Sequence, residues 1–474
     1  MATPRNVSRT TTAGTKLRAG RFTPAYINLV DQIAAAAPNS WVKVNLNRYS
    51  DAWPSNDFLA GFPTFTSPPS SPKTIINAWS SFAWDDDQMR LVLFGGGHAN
   101  YGSSEVYEWR GETQTWRLAF HTTQYEKVGT AGERSVAGST VAPISAHTYS
   151  NQVWLEKLQR FITFGGAAHS GGSQWVVSDS SGNILRTAGP YVLDMALAGQ
   201  GYVSGPAGSN VKRDGTSSAG VDLPGANAWS MRDYWSTEHP VSKPLIGHMA
   251  VHRNGTVVHR VENNHDTLYV FSDAGNAGSA YLYRIEIVDA DYRNDIITMV
   301  GAGGTNGMID CQAALDPDRN VFVVPVQGVA GDVLQGWNLA TAGQTNYNFR
   351  VAPAGLGGVG ADEFKSVSRR LSLIYDERRK CFVGWENGKT LWKLKAPTTG
   401  SNFTTGWTIE KIVDETLSAG PAQQSAGGDI VAPNGVVGKW KRSKRLDVYV
   451  GLQHITEGHI WVYKPHDWLD PRGD

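Results

Sequence analysis

The chain has 474 residues, of which 41% are hydrophobic and 18% charged, and it contains 52 Gly, 17 Trp and 17 Tyr. Much glycine and many aromatic side chains with few charges are typical of short strands joined by tight turns. Because the formal net charge is zero, there is no basic field to attract nucleic acid or an anionic membrane, and neither partner is expected.

Membrane, disulfide and cofactor chemistry are not indicated either. No apolar run is long enough to span a bilayer, and the N-terminal residues lack the apolar core of a secretory signal. The spacing of Cys311 and Cys381 fits neither a disulfide framework nor a zinc site, so we expect two isolated buried thiols. We expect no cofactor and no resident metal ion.

The first 22 residues form a basic arm that is rich in Thr, Arg and Gly and has no acid. An arm of this composition should be disordered alone, and we expect a partner surface to hold it. Thr23 and Pro24 then predict a helix over 25–37, which Pro38 ends. The predicted attachment element is residues 1–39, with assembly contacts at Arg5, Arg9, Lys16, Arg18 and Arg21.

A repeat of four short strands begins after residue 75. Apolar runs at 78–84 and 89–94 flank a polar turn at 85–88. A third strand follows at 106–109, and a fourth begins at Trp116. Four short strands joined by polar turns are typical of one propeller blade.

The order of residues within this repeat resembles the kelch repeat. An apolar strand ends on Gly95-Gly96, a Tyr107 strand follows, and then come a turn with Thr113 and a strand opening on Trp116. The resemblance implies a β-propeller like the central domain of galactose-oxidase-like proteins. It does not imply their copper chemistry, since the chain has no Tyr-His dipeptide and no convincing cysteine for the cross-link.

Five further repeats can be traced, with decreasing clarity, at 145–189, 265–287, 311–328, 372–395 and 436–465. The stretch 190–250 is left open as a degenerate seventh blade or a long insertion. The predicted fold class is therefore all-β, a kelch-like β-propeller of six or seven four-stranded blades with an N-terminal arm and a short helix. The propeller is predicted to occupy residues 40–474.

The last repeat lacks a fourth strand, because only eleven residues follow Tyr463. Residues 41–46 have the pattern of a strand that opens on Trp41, like the fourth strand of the first repeat. We expect this segment to pair with the last blade and to close the ring, which removes open sheet edges.

The family's usual ligand face carries the loops that follow the second strands. His98, His169 and His454 occupy those loops and could converge on a metal or a sugar hydroxyl, although hydrogen bonding to loop backbone is the favoured interpretation. Loop aromatics add surfaces that could stack on a saccharide, with the segment 226–240 the most distinctive. The candidate ligand contacts are His98, Tyr101, His169, Trp175, Trp229, Trp235 and His454.

Enzyme signatures are scarce, and no catalytic residue is assigned. The sequence has no GxSxG, HExxH or P-loop, and its nearest matches to sialidase turns have the wrong spacing. The acidic run 85–87 is predicted to be a solvated turn on the face opposite the ligand loops. If the chain degrades polysaccharide, its acids would be Glu262, Asp362 or Glu363 in channel-facing loops.

These patterns favour a structural or binding module of a larger assembly. The basic arm and the absent signal suggest a bacteriophage virion protein, such as a tail appendage that recognises a host surface glycan or a neighbouring virion protein. The expected location is the virion, after synthesis in the cytoplasm. A polysaccharide-degrading enzyme and an intracellular kelch scaffold for another protein remain the alternatives.

Overall fold

A computed structural model shows a ring of six four-stranded antiparallel sheets, so the predicted all-β propeller is confirmed with six blades. The described residues are 24–54, 71–77, 79–97, 101–122, 125–128, 132–135, 140–168, 175–179, 181–199, 203–204, 227–236, 255–272, 281–302, 312–326, 331–341, 348–358, 360–368, 371–398, 403–412, 420–422 and 437–473. The five basic residues of the predicted arm lie outside them, as do His98, His169 and Cys311.

We number the blades in chain order and the strands of each blade from the channel outward. The strands of blades 1 and 2 are Phe82–Asp85, Arg90–Leu93, Val106–Arg110 and Thr115–Thr122, then Gln152–Leu155, Arg160–Thr163, Tyr191–Leu193 and Trp229–Met231. Those of blades 3 and 4 are Thr256–Glu262, His265–Ser272, Tyr281–Ile287 and Ile296–Ala302, then Ala314–Asp316, Val321–Pro325, Leu334–Asn338 and Asn348–Val351. Those of blades 5 and 6 are Ser372–Asp376, Cys381–Asn387, Thr390–Lys395 and Trp407–Ile412, then Trp440–Ser443, Val448–Gln453, His459–Lys464 and Ser40–Lys43.

Smaller elements decorate the ring. Two hairpins lie outside the blades, and two short strands extend blades 1 and 5 in parallel. These strands are Tyr125–Val128 with Gly132–Ser135, Val176–Ser178 with Ile184–Thr187, and the single strands Val203–Ser204 and Leu356–Gly357. The helices are Pro24–Ala35, Lys73–Asn77 and Ala361–Val367, with 3₁₀ turns at Tyr49–Ala52, Met195–Leu197, Tyr292–Asn294, Leu339–Thr341 and Pro353–Gly355.

A recurring turn joins the first strand to the second. In blade 4 the Asp316 carboxylate accepts backbone N–H groups two and three residues on, at 3.0 and 3.1 Å. Asp376 in blade 5 does the same at 3.0 and 3.2 Å. Short acidic side chains favour such turns because they hold the next backbone amides. In all six blades the turn ends on a residue with positive φ, namely Met89, Gln159, Asn264, Asn320, Lys380 and Asp447.

The double glycines after the second strands of blades 1 and 2 allow a close approach of backbone to backbone. A Cβ on Gly166, at φ +156°, would lie 1.8 Å from the carbonyl oxygen of His147. A Cβ on Gly97 would lie 2.3 Å from Ala146 Cα. At these positions only glycine leaves room for the loop to pass the segment that leads into blade 2. Membership of the kelch family stays a prediction.

Residues near the two ends of the described chain complete blade 6 together. Trp41 pairs with Tyr463 in an antiparallel register, and Val44 N–H continues the ladder to the Ile460 carbonyl at 3.0 Å. The Trp41 ring packs 5.6 Å from both Trp385 and Trp440, centroid to centroid. The fourth strand thus both satisfies the sheet edge and fills the space between blades 5 and 6.

The N-terminal helix, Pro24–Ala35, covers the junction of blades 6 and 1 and ends two residues earlier than predicted. Its residues Tyr26, Leu29, Val30 and Ile33 follow helical spacing and share one apolar core with those blades. The Lys464 ammonium donates to the carbonyls of Ala34 and Ala36 at the helix end, where the helix dipole favours a cation.

The interpretation of blade 2 needs correction. The second repeat is predicted to occupy 145–189, but its last part, Val176–Ser178 with Ile184–Thr187, forms a separate hairpin. The true third and fourth strands are Tyr191–Leu193 and Trp229–Met231, inside the segment left open as a seventh blade. The cause is burial: Ile184 is 57% exposed in the hairpin, whereas Tyr191 and Trp229 are buried and fill the space between blades 1 and 2.

Candidate binding site in the central channel

The first strands of all six blades enclose a cavity of about 190 Å³. Each blade contributes at least one side chain to its wall, for example Trp84, Trp154, His259, Leu315, Ile374 and Lys441 in blades 1 to 6. A cavity at the meeting point of every blade is held by the whole ring, so its shape is well defined without any ligand.

The cavity opens on the face that carries the turns between first and second strands. Asp86, Glu156, Pro317, Glu377 and Lys444 all lie in those turns and line it. Glu377 and Lys444 side chains are 52% and 57% exposed, which marks this end as the mouth. The mouth therefore lies on the face opposite the loops in which ligand contacts are predicted.

Away from the mouth, Gln312 ties three blades together. Its side-chain N–H₂ donates to the carbonyl of Leu373 in blade 5 at 3.0 Å and to that of Trp440 in blade 6 at 2.9 Å. Gln312 precedes the first strand of blade 4 and is buried. Since each buried carbonyl needs a donor, this amide fixes the relative positions of the innermost strands.

The acidic turn of blade 1 is not solvated as predicted. Asp85 is fully buried and pairs with the Arg90 guanidinium at 2.7 Å. Asp86 accepts hydrogen bonds from Trp84 Nε1 at 2.9 Å and, across the ring junction, from Ser443 Oγ at 2.6 Å. It also accepts the Arg445 backbone N–H at 2.8 Å. The run joins blade 1 to blade 6, and only its third carboxylate is exposed.

A histidine and an aspartate form a fixed pair at the wall of blade 3. His259 Nε2 lies 2.8 Å from Asp266 Oδ1. Asp266 also accepts the backbone N–H groups of Lys157 and Leu158, in the turn of blade 2, at 2.8 to 3.1 Å. Burial opposes ionisation of Asp266, but the hydrogen bonds outweigh it and lower the pKa. The imidazole is thus held in one orientation at the cavity wall.

The other cations that line the cavity have acidic partners. Arg442 bonds Asp376, with Nε to Oδ2 at 3.2 Å, and also Asp447. Arg260 Nε lies 3.1 Å from Glu262. Lys444 Nζ lies 3.2 Å from Glu377. Burial opposes the charge of Lys444, but Glu377 and more distant acids outweigh it and raise its pKa.

Lys441 differs from these cations. No acidic side chain among the described residues lies within ion-pair distance of its ammonium, whose closest charge-related contact is the Phe82 ring at 6.0 Å from the centroid. Burial lowers the pKa of Lys441 to about 8. As far as the described residues show, the cavity therefore contains one ammonium group without a counter-charge.

Two of the predicted ligand contacts in the loops make local hydrogen bonds. The Tyr101 hydroxyl is buried and donates to Glu105, which also accepts from Tyr107 at 3.1 Å. His454 Nδ1 accepts backbone N–H groups of the loop after the second strand of blade 6, at 3.0 and 3.3 Å. The ring centroids of His459 and His454 lie 4.8 Å apart. Burial, together with Lys43 and His454, lowers the pKa of His459 to about 4.

The predicted tryptophan contacts pack between blades. Trp175 is 5% exposed, donates to the Ile144 carbonyl at 2.9 Å and packs edge-on against Tyr191. Trp229 is buried against Phe94 of blade 1. Trp235 is half-buried between blades 2 and 3. None of these three lines the central cavity, and ligand binding through the predicted loop residues stays a prediction.

The acids proposed for a degrading enzyme do not lie around the cavity. Glu262 bonds Tyr269 and Arg284 and lines a separate pocket beside the second and third strands of blade 3. Glu363 bonds Lys411 on the outermost strand of blade 5, and its neighbour Asp362 is exposed. The expectation that they are channel-facing is wrong, because the segment 361–367 is a helix at the outer edge of blade 5.

Sequence reasoning did not single out Lys441. A usable signal is present, because 440–443 precedes a polar turn and forms the first strand of blade 6, and the first strands line the channel. A lysine there stands at a channel-facing position. Which charges it meets depends on other blades and cannot be read locally.

The described residues include no group of three or more His, Cys, Asp or Glu side chains arranged to hold a metal ion. Across the same residues, no helix has the length and apolar character needed to cross a membrane.

No family model matches the sequence, and no curated protein matches it significantly. Similar solved structures include the α-L-arabinanase of Penicillium chrysogenum complexed with arabinobiose, at 10% identity and a TM-score of 0.37, covering 83% of this chain and 99% of that chain. The Dos1 propeller is 8% identical, with a TM-score of 0.35 and coverage of 91% and 96%. The Cps50 (Swd1) β-propeller domain of Myceliophteria thermophila is 12% identical, with a TM-score of 0.29 and coverage of 82% and 97%. These values assign neither a ligand nor an activity to this chain.

Proposed function

We propose that this chain is a binding module whose ligand occupies the central cavity. The observation that carries the proposal is the cavity itself, which all six first strands line and which opens between partly exposed turns. Its wall combines aromatic, apolar and charged side chains held by contacts between blades, which is the composition of a pre-formed ligand site.

The acids at the mouth support binding more than glycoside cleavage. Cleavage needs one carboxyl to give a proton and a second to act as base or nucleophile. Asp86 already accepts three hydrogen bonds, and Glu377 pairs with Lys444. Both carboxylates are thereby committed to contacts within the protein. Glu156 is the remaining acid of the described cavity wall, and it would supply one carboxyl where cleavage needs two.

We further propose that the ligand is a unit of a cell-surface glycan. Trp84 and Trp154 line the cavity, and aromatic faces stack on the C–H faces of sugar rings. The cavity is smaller than the roughly 300 Å³ at which drug-sized pockets begin, so one sugar unit is the appropriate size.

The setting belongs to the same proposal. A bacteriophage virion protein, attached through residues 1–39 and exposing the propeller to the host surface, accounts for a basic arm on a chain whose overall net charge is zero. The composition of the arm is what supports this setting. The degrading enzyme and the intracellular scaffold stay as outcomes of the tests below.

Binding is tested with the purified full chain and host capsule or lipopolysaccharide. We expect saturable binding, no released oligosaccharide, and slower amide exchange in first strands such as Ser372–Asp376 and Trp440–Ser443. Exchange in the outermost strand of blade 3, Ile296–Ala302, is the internal control and should not change. Released oligosaccharide would establish the enzyme instead, and protection confined to outer strands would remove the cavity from the proposal.

Attachment is tested by deleting residues 1–22, which spares the helix Pro24–Ala35 and its apolar contacts. We expect unchanged thermal unfolding of the propeller and loss of incorporation into the parent particle. Normal incorporation of the shortened chain would contradict the attachment role.

A further inference from the structure

We propose that Lys441 binds a carboxylate of the ligand, so that the cavity selects an acidic sugar unit over a neutral one. The sugar part of this inference rests on the proposed function, whereas the carboxylate site stands on the geometry around Lys441. A carboxylate at this position would supply the counter-charge that no described acidic side chain provides.

The first step of the argument is that neighbouring charges are not available to Lys441. The carboxylates nearest in sequence or turn position bond other groups: Asp376 and Asp447 bond Arg442, and Glu377 bonds Lys444. Lys441 is half-buried in the cavity, and a partly desolvated ammonium is costly without an anion. Natural proteins seldom leave such a group unpaired unless it has a use.

The second step is the position of the side chain along the channel. Lys441 comes two residues before Ser443, the last residue of the strand, and Lys444 is at the mouth. At about 3.3 Å per residue, Lys441 therefore starts roughly 7 Å further in than the end of the strand. A ligand reaching it is surrounded by the cavity wall and loses most of its water, which strengthens a charge pair.

The third step concerns pH. An anion needs the ammonium form, so affinity should be constant below the pKa of about 8 and fall as pH rises through it. The other charged or titratable groups that line the cavity are Asp86, Glu156, His259, Arg260, Tyr375, Glu377, Arg442 and Lys444. Burial and the nearby Asp316 raise the pKa of Tyr375, and acidic neighbours outweigh burial and raise the pKa of Lys444, so neither group loses its proton together with Lys441.

Isothermal titration calorimetry of the full chain with glucuronate, glucose and glucose 6-phosphate tests the inference. We expect glucuronate to bind about 10- to 100-fold more tightly than glucose at pH 7, the range for a charge-assisted hydrogen bond. The preference should shrink about tenfold at pH 9. Lys441→Met should abolish it, and the matched control Lys444→Met should retain it.

Three results would overturn the carboxylate site. These are equal affinity for glucuronate and glucose, tighter binding of glucose 6-phosphate than glucuronate, and loss of the preference in Lys444→Met but not in Lys441→Met. Equal affinity would leave the proposed glycan-binding function standing, since neutral sugar would still bind.

A second measurement separates the two proposals. Reductive methylation with ¹³C-formaldehyde gives each lysine an NMR signal, and Lys441→Met identifies the one of interest. We expect acetate or glucuronate to raise the pKa of this amine. If it does so while no polysaccharide binds, the carboxylate site is supported and the glycan-binding function fails. An unmoved pKa contradicts the site, and Lys444→Met confirms the assignment.

Discussion

Lys441 and Arg442 are consecutive residues of one strand and both line the channel cavity, yet their partners differ. Because successive side chains of a strand face opposite sides, Arg442 meets blade 5 and Lys441 meets blade 1. Asp376 and Asp447 bond Arg442, whose guanidinium lies 5.3 Å from the Tyr449 ring. Lys441 lies 6.0 Å from the Phe82 ring and has no acidic partner among the described residues.

The charged groups at the junction of blades 5 and 6 form an ion-pair network with a structural role. Asp376 bonds Arg379 at 2.7 Å and the Tyr449 hydroxyl at 2.6 Å, in addition to Arg442. Burial opposes its ionisation, but these groups outweigh burial and lower its pKa to about 2. Each charge in this network is satisfied by protein groups, so it stabilises one arrangement of two blades. The ammonium of Lys441 is instead available to a ligand.

The largest test of this contrast removes an acid from the network. Asp376→Ala should lower the free energy of unfolding by about 3–5 kcal/mol, because two buried guanidinium groups lose one of their carboxylate acceptors. The adjacent Glu377→Ala removes an exposed pair and should cost less than about 1 kcal/mol. Urea titration of both variants checks the pair, and equal costs would show that burial does not distinguish the two acids.

The same acid should make stability sensitive to low pH. Its pKa is about 2 in the folded chain against 3.8 ordinarily, so the unfolded chain takes up the proton first as pH falls. The stabilisation is complete above about pH 4 and is lost towards pH 2, amounting to roughly 2 kcal/mol. Urea titrations from pH 5 to 2 should show this slope in the wild type and a shallower one in Asp376→Asn. Parallel slopes would contradict the assignment.

Removing the charge of Lys441 should change the free energy of unfolding in the opposite direction. Lys441→Met should leave stability unchanged or raise it by about 1–3 kcal/mol at pH 7, because a desolvated ammonium is replaced by an apolar group. The lowered pKa means that wild-type stability rises as pH increases from 8 to the ordinary value of 10.5. The difference between the two proteins should therefore close over that range. Destabilisation at pH 7 would show that Lys441 is structural.

The smallest expected effect lies at the ring junction. Asp86→Asn keeps one acceptor oxygen and should cost about 1 kcal/mol, because Ser443 Oγ and the Arg445 N–H currently share the carboxylate. Asp87→Asn, on the exposed neighbour, should be neutral. The unfolding temperatures of the two variants test this difference. Equal temperatures would support the solvated turn that the sequence predicted.

Much of the ring could be predicted from the sequence, because its repeat signals are local. The apolar runs, Gly95-Gly96 and the tryptophans each mark a strand or a turn wherever they occur. Blade 2 could not be predicted, because two sets of apolar residues compete for its outer positions and only burial decides. The ion-pair network between blades 5 and 6 could not be predicted for a related reason. Arg442 and Asp376 are distant in sequence and meet only after the blades pack.

The binding site in the cavity was harder to predict than the fold. The ligand site was predicted at the histidines of the loops after the second strands, because histidine often binds ligands. Lys441 is distinctive only because no described acidic side chain pairs with it. That property belongs to the neighbours of a residue, and no pattern around position 441 encodes it. The predicted loop site and the central cavity are on opposite faces, so glycan-protection experiments on the two faces will separate them.

The shared blade 6 also constrains how the protein can be made. Tyr463 bonds Asn39, which leaves the ribosome 424 residues earlier. Throughout synthesis of the intervening five blades, the strand Ser40–Lys43 has no partner, and the tryptophan it carries has no pocket. The nascent chain is therefore an open ring with two exposed edges until its last strands emerge. Slow translation near the end would prolong that state, and a chaperone that shields Trp41 would act at the beginning of the chain rather than at its end.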